Sequence, residues 1–328
     1  MTTWLRRKNV RTAALLLLAF ALLQGFNSAG LLTNYILFVI MVGLINAILT
    51  VSLNVITGFT GQFSIGHAGF MAIGAYTAGM CTKLVFQVGP DSPFWIREPA
   101  FLVSLLAGGA AAGLIAFLIG IPALRLRGDY LAIATLGFNQ VVVVVFNNLD
   151  FVGGPRGFTG LPKLTNFVWV AAVTAVSVWV MHNLIHSIHG SQCIAIREDE
   201  LAAESLRVDS TRYKSLAFVV SSFFAGIAGG LLAHLLQLAH PSQFTFLKSI
   251  DILLMLVVGG MASIPGSIVA AITLTILPEF LRFSQDLRLV IYPVILIVFV
   301  LYNPVPRVQA LLQRRLLRRA ARAEGTGG

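Results

Sequence analysis

Charge is scarce in this 328-residue sequence: Asp, Glu, Lys and Arg together make up 11% of it. Soluble domains carry about 25% and disordered chains are more polar still, so both classes are excluded. Cysteine is almost absent as well. Cys81 and Cys193 are the only two, and they are read as unrelated small residues rather than a disulfide framework. Several motifs are missing altogether. No Gly-x4-Gly-Lys-[Ser/Thr] occurs, so the chain supplies no phosphate-cradling loop for ATP. Neither His-Glu-x2-His nor Gly-x-Ser-x-Gly occurs, and no paired carboxylates lie within the apolar runs. The sequence therefore points away from an enzyme, and no cofactor is expected on this chain.

Hydrocarbon fills the sequence instead: 57% of the residues are hydrophobic and the mean hydropathy is +0.86. Apolar runs recur at Thr12–Phe26, Leu31–Val55, Phe63–Phe86, Ala100–Leu124, Tyr130–Leu149, Phe167–Ile188 and Tyr213–Ala239. Most can cross a hydrocarbon core of about 30 Å at about 1.5 Å per residue. The first resembles a signal peptide, but Asn27 stands where a small residue would precede cleavage, so it reads as an uncleaved helix. The stretch Ile250–Leu281 is broken at Gly259, Gly260, Pro265 and Gly266, and Leu289–Tyr302 closes the apolar part. The expectation is an all-α polytopic membrane protein of about 8–10 transmembrane helices, including one broken or re-entrant pair.

The net charge of +10 belongs to the ends. Residues 1–11 form a basic N-terminus, residues 303–328 form a basic tail, and together they carry nine of the ten net charges. By the positive-inside rule both termini are cytoplasmic. The tail suits anionic lipid headgroups, and nothing suggests a nucleic-acid partner. Counting from inside, the loop with Arg125, Arg127 and Asp129 and the charged segment Arg197–Lys214 both fall in the cytoplasm. Ten spans satisfy this parity, and so do eight with a re-entrant hairpin.

Polar residues inside the apolar body are the functional candidates, because each must find a partner or line water. The segment Gly61-Gln62-Phe63-Ser64-Ile65-Gly66-His67 carries three of them within a few residues. The stripe of small residues that follows, from Gly66 to Gly79, suits close helix packing. His182, His186 and His189 fall at helical spacing on one face, but they sit at the cytoplasmic end of a span and read as interfacial, so no metal is expected. The glycine-rich outer loop Gly153–Gly160 reads equally as a tight loop or a surface for an external partner. Asp251 and Glu279 are the only acids near the broken pair, which argues against an ion-driven carrier. At about 194–209 a short amphipathic helix is expected, with Ile194, Leu201, Ala202, Ser205 and Leu206 on one face and Glu198, Asp199 and Glu200 at its start. Anionic lipid would repel that acidic half, so docking on a protein partner is the better reading.

Four segments in combination resemble one family. They are Asn54-x3-Gly58-x2-Gly61-Gln62-x-Ser64-x-Gly66-His67-Ala68-Gly69-Phe70, Gly128-Asp129-Tyr130-Leu131-Ala132-Ile133-x-Thr135-Leu136-Gly137-Phe138, Ala195-Ile196-Arg197-Glu198-Asp199-Glu200-x-Ala202-Ala203, and Ser242-x-Phe244-Thr245-Phe246-x2-Ser249 followed by Gly259-Gly260-Met261. From about Leu31 to Tyr302 the chain resembles the permease subunit of a branched-chain amino-acid ATP-binding-cassette (ABC) importer of the Liv M type. The resemblance implies a permease domain over 12–302 of the type II importer kind in a bacterial inner membrane. It also implies a second homologous permease, two cytoplasmic ATPase subunits that bind the ATP, and a periplasmic or extracellular substrate-binding protein.

In that frame Arg197, Glu198, Asp199, Glu200, Leu201, Glu204 and Arg207 couple to the ATPase. The pathway candidates are Asn54, Gly58, Gly61, Gln62, Ser64, Gly66, His67, Thr135 and Gln140. Departures from the family pattern are Asn139-Gln140 in place of Gly-Glu, Gly190-Ser191-Gln192-Cys193 in place of Gly-Arg-Ala-Trp, and Ala262 in place of Gly. These leave urea or short amides as alternative cargo, and a self-sufficient secondary carrier as a different class.

Overall fold

The computed structural model describes residues 33–89, 92–124, 126 and 128–280. The apolar runs Thr12–Phe26 and Leu289–Tyr302, the two basic termini, and Arg125 and Arg127 lie outside the described residues. Contacts within the chain divide it into two units at Ile276 and Leu277. Of the second unit only the end of one helix is described, and the helical bundle belongs to the first.

The helices are α1 (Asn34–Asn54), α2 (His67–Met80), α3 (Phe94–Ala123), α4 (Asp129–Asn148), α5 (Phe167–Ile185), α6 (Ile188–Glu198), α7 (Glu200–Ser205), α8 (Ser210–Leu236), α9 (Phe246–Gly259) and α10 (Ile264–Phe280). The only strands among the described residues are β1 (Phe158–Thr159) and β2 (Leu238–Ala239), an antiparallel pair with Phe158 opposite Ala239. Six helices among the described residues are long and apolar enough to cross a membrane: Asn34–Phe59, Phe94–Gly120, Asp129–Asn148, Phe167–Ile185, Ser210–Leu236 and Pro241–Gly259. The chain is a multi-pass, all-helical membrane protein.

The run Phe63–Phe86 departs from the simple crossing that its hydropathy suggests. Only His67–Met80, 14 residues, is α-helical, and a single π-helical turn over Cys81–Val85 follows it. Before it the chain turns at Gly61, whose φ of +75° a side chain would strain, and then runs without helix to Gly66. Hydropathy registers that a stretch is apolar; it does not register where the helix within it begins.

Helix α2 is buried along nearly its whole surface, as a helix apolar all round must be. It packs most closely on α8 and α3, with α4 on a further side. The small-residue stripe explains how. A Cβ placed on Gly74 would lie 2.1 Å from the Gly226 carbonyl oxygen, and one on Gly229 would lie 1.9 Å from that of Met71. The α2 and α8 backbones touch there, and only glycine fits. Helix α8 in turn presses Gly226 against Gly108 and Gly109 of α3.

Two features set the ends of the bundle. At one end β1 and β2 pair, and the turns of the Gly153–Gly160 loop fold against them; Gly153 has a φ of +87° and would meet the Gly157 carbonyl if it carried a Cβ. That segment is a tight loop. At the other end lie α6 and α7. Helix α9, with its lead-in from Pro241, starts beside the ribbon, and its terminal turn meets the last turn of α1 next to α6. The pair α9–α10 thus turns back at the α6 end of the bundle.

Candidate functional site

The α6 end is a knot of four segments. Asn54, fully buried at the close of α1, accepts a hydrogen bond from the Ala262 backbone N–H (2.9 Å). Its amide nitrogen donates to the Ser267 hydroxyl (2.8 Å) and to the Ser263 carbonyl (3.2 Å). One side chain therefore holds the turn Gly260–Ser263, where Ala262 has a φ of +62° and Gly260 one of +90°. Gly58 packs so tightly here that a Cβ would lie 1.7 Å from Asn54 Oδ1 and 2.6 Å from Ala262 N. The Gly58 carbonyl accepts from the Arg197 guanidinium of α6 at 2.9 Å, and Gly61 lies under the same side chain. Three stretches far apart in sequence, Asn54 to Gly61, Arg197, and Gly259 to Gly266, converge at one place.

The segment expected as one helix over about 194–209 is two. Helix α6 starts earlier, at Ile188, with the Ser187 side chain as its cap. It ends at Glu198, because Asp199 leaves helical backbone and accepts from Ala202 N–H (3.0 Å) to cap α7. Helix α5 likewise stops at Ile185, so His189 belongs to α6 and the three histidines do not share one helical face.

The acids of this segment are largely used within the chain. Glu200 pairs with Lys214 of α8 (2.6 Å) and Glu204 accepts from the Ser210 hydroxyl (2.7 Å). Glu198 pairs with its neighbour Arg197 and stays exposed. Arg207 sits exposed at a φ of +64°, turning the chain into α8. Cys193, Ile196 and Ala203 face inward. The expected apolar face therefore points out: Leu201 is 66% exposed and Leu206 81%.

A cleft of about 320 Å³ opens beside this knot, lined by Thr60–Phe63, Leu124, Gly128, Asp129, Ile196–Glu200 and Lys214. Gln62 belongs to its wall. The side chain is 5% exposed, and neither amide atom has a hydrogen-bond partner.

Deeper in, the non-helical segment before α2 and the first turn of α2 are stitched to their surroundings. Ile65 N–H donates to the Thr135 hydroxyl of α4 (3.0 Å) and Ala68 N–H to the Ser249 hydroxyl of α9 (3.0 Å). His67 shares a 2.8 Å hydrogen bond with Ser52 of α1, and Gly66 rests against the Thr135 backbone. Ser64 is buried in the same place. Irregular backbone at membrane depth survives where protein encloses it, and here α1, α4 and α9 do so. Of the two adjacent amides on α4, Gln140 faces outward and Asn139 inward. Asn139 is fully buried with both amide atoms unpartnered, one turn from Thr135 and against Gly69 of α2. Gln62 and Asn139 thus place unspent polar groups on either side of the His67 segment.

A further polar group lies outside every sequence motif. Asn46, buried at the midpoint of the apolar helix Asn34–Phe59, accepts from the Lys248 ammonium of α9 (3.0 Å) and donates to the Thr275 hydroxyl of α10 (2.9 Å). A lysine and an aspartate three residues apart, Lys248 and Asp251, are the legible signal for this group.

A family model described as branched-chain amino acid transport system / permease component matches residues 35–300. The chain belongs to this permease family. It is 34% identical over 297 residues to a protein of Salmonella typhimurium named high-affinity branched-chain amino acid transport system permease protein LivM, covering 80% of this chain and 67% of that one. The LivM protein of Escherichia coli is 34% identical over 296 residues, with the same coverage. The LivH permease protein of Escherichia coli is 23% identical over 276 residues, covering 78% of this chain and 84% of its own. No solved structure matches. Family membership makes the chain a transport permease component of the ABC importer class rather than an enzyme.

Proposed function

We propose that this permease passes branched-chain amino acids inward across a bacterial inner membrane, driven by ATP hydrolysed on two separate ATPase subunits. A second, homologous permease completes the pathway, and a binding protein delivers substrate at the ribbon end. Both termini lie on the cytoplasmic side with α6 and α7, where the basic tail meets lipid headgroups. The names of the relatives support the substrate. Their division into LivM and LivH proteins, both similar to this chain, supports a partner permease.

One observation carries the coupling: Arg197 of α6 grips the Gly58 carbonyl at 2.9 Å. Closure of the ATPase pair displaces α6 and α7, and Arg197 passes that displacement to the end of α1. Asn54 hands it on to the turn between α9 and α10 through the Ala262 N–H. The segment Gln62–Gly66 leaves α1 at this same point, so its enclosure by α4 and α9 opens or closes with the knot. Gln62, Ser64, His67, Thr135 and Asn139 offer hydrogen bonds on that path, and the apolar walls suit an aliphatic side chain.

The test is recovery from mild detergent. The chain purified from cells that carry its neighbouring genes should bring a P-loop ATPase and a second permease with it. Repeated recovery of the chain alone would contradict the proposal.

A further inference from the structure

Most polar groups in this bundle are small hydroxyls and amides, but one place at mid-depth holds full charges. Lys248 and Asp251 lie one helical turn apart on α9 and attract each other, yet they form no ion pair within 4.0 Å. The lysine ammonium is drawn to Asn46 Oδ1 at 3.0 Å, and Asn46 is itself fixed by Thr275. Asp251 has no hydrogen bond or ion pair among the described residues, and it stands exposed on the outer face of α9 beside Leu247. Asn46 marks the midpoint of its helix, so these charges sit near the bilayer centre. An exposed carboxylate at that depth is costly unless it faces water or a polar ligand. A merely structural role would be served better by closing the pair or by apolar residues. The chain instead carries a cation and an anion one helical turn apart on α9, the cation held by a buried amide.

We propose that Lys248 and Asp251 bind the two charged ends of an α-amino acid in transit. The Asp251 carboxylate takes the ammonium, Lys248 takes the α-carboxylate, and the side chain of the substrate lies along the apolar face that includes Leu247. This rests on the reading of the chain as an amino-acid permease and adds to it the group recognised. It also accounts for selection: an amine or a carboxylic acid alone satisfies one charge and leaves the other unpaired in a poorly solvated place, whereas the zwitterion satisfies both.

The experiment is uptake of radiolabelled leucine into proteoliposomes containing the complete transporter, comparing wild type with Asp251→Asn, Asp251→Glu and Lys248→Gln. Binding at this pair predicts a KM raised by about tenfold or more in Asp251→Asn and Lys248→Gln, and substantial recovery in Asp251→Glu. Excess 3-methylbutylamine or 4-methylpentanoate should compete poorly with leucine in wild type. An unchanged KM in both neutral variants would overturn the proposal. So would variants that no longer assemble with the second permease, since the pair would then be an interface contact; size-exclusion chromatography of the solubilised complex reads this directly. If wild type itself shows no ATP-dependent leucine uptake, the amino-acid reading fails; if it does and the neutral variants match it, only the role assigned to this pair fails.

Discussion

Gly229→Leu should leave almost no folded permease in the membrane. The Cβ alone would lie 1.9 Å from the Met71 carbonyl oxygen and 3.0 Å from the Ala75 nitrogen, and backbone cannot rotate away as a side chain can. The two helices would have to part along the seam that also holds Gly74 against Gly226. Helix α2 has no other place to go, because it is buried against α3, α4 and α8 together. A loss of at least about 3 kcal/mol is expected from overpacking of this kind, a large part of a typical folding stability. Gly137→Ala on α4 is the matched control, since nothing lies within 4 Å of its added Cβ and alanine is the better helix former. The readouts are the fraction recovered as a monodisperse species in detergent and its thermal midpoint. Gly229→Leu should fall to near background while Gly137→Ala matches wild type. Comparable yields and midpoints would show that the α2 and α8 backbones do not touch along this seam.

Leu201→Asp combined with Leu206→Asp should abolish coupled transport while leaving the chain folded. The two leucines are 66% and 81% exposed on a polar segment that lies outside the bundle, so the substitutions disturb nothing inside this chain. A partner that covers them would instead have to bury two carboxylates without counter-charge. Uptake of labelled leucine should drop by more than about tenfold, and the ATPase should no longer copurify, with yield and thermal midpoint unchanged. Charge reversal of the acids Glu198, Asp199 and Glu200 is a poorer probe. Asp199 caps α7, a contribution of about 1 kcal/mol, and Glu200 holds Lys214 at 2.6 Å, so their loss would confuse folding with docking. Normal uptake by the leucine variant would remove α6 and α7 from the coupling role.

Much of this architecture was legible because hydrocarbon solvent leaves few choices. Backbone groups must be satisfied within helices, so apolar runs translate directly into α1, α3, α4, α5 and α8. The glycine stripe after Gly66 was legible as packing for the same kind of reason. The exit from helix at Asp199 carried a readable signal too, since aspartate is a preferred cap. It was obscured because three successive acids also suit the start of a single helix. Other features had no local trace. Asn54 meets Ala262 across 208 residues, and Arg197 meets Gly58 across 139. A single sequence shows which residues are polar inside the body, but it does not show which of them share a site. Gln140 and Asn139 illustrate the limit at finest scale: adjacent amides on one helix point to opposite sides, and which one faces inward depends on a register that α2 imposes.

The Lys248–Asn46–Thr275 group is also of this second kind. Lys248 is an ordinary residue near a helix start until Asn46 of α1 and Thr275 of α10 are brought beside it. Only then is the charge seen to lie level with the midpoint of the apolar helix Asn34–Phe59.

Import powered by partner ATPases stands or falls on leucine uptake into proteoliposomes that hold the whole complex, with binding protein outside and ATP sealed within. Accumulation should require internal ATP, and an imposed proton or sodium gradient should not replace it. Accumulation that follows an ion gradient with no ATP present would contradict this mechanism and identify a self-sufficient carrier.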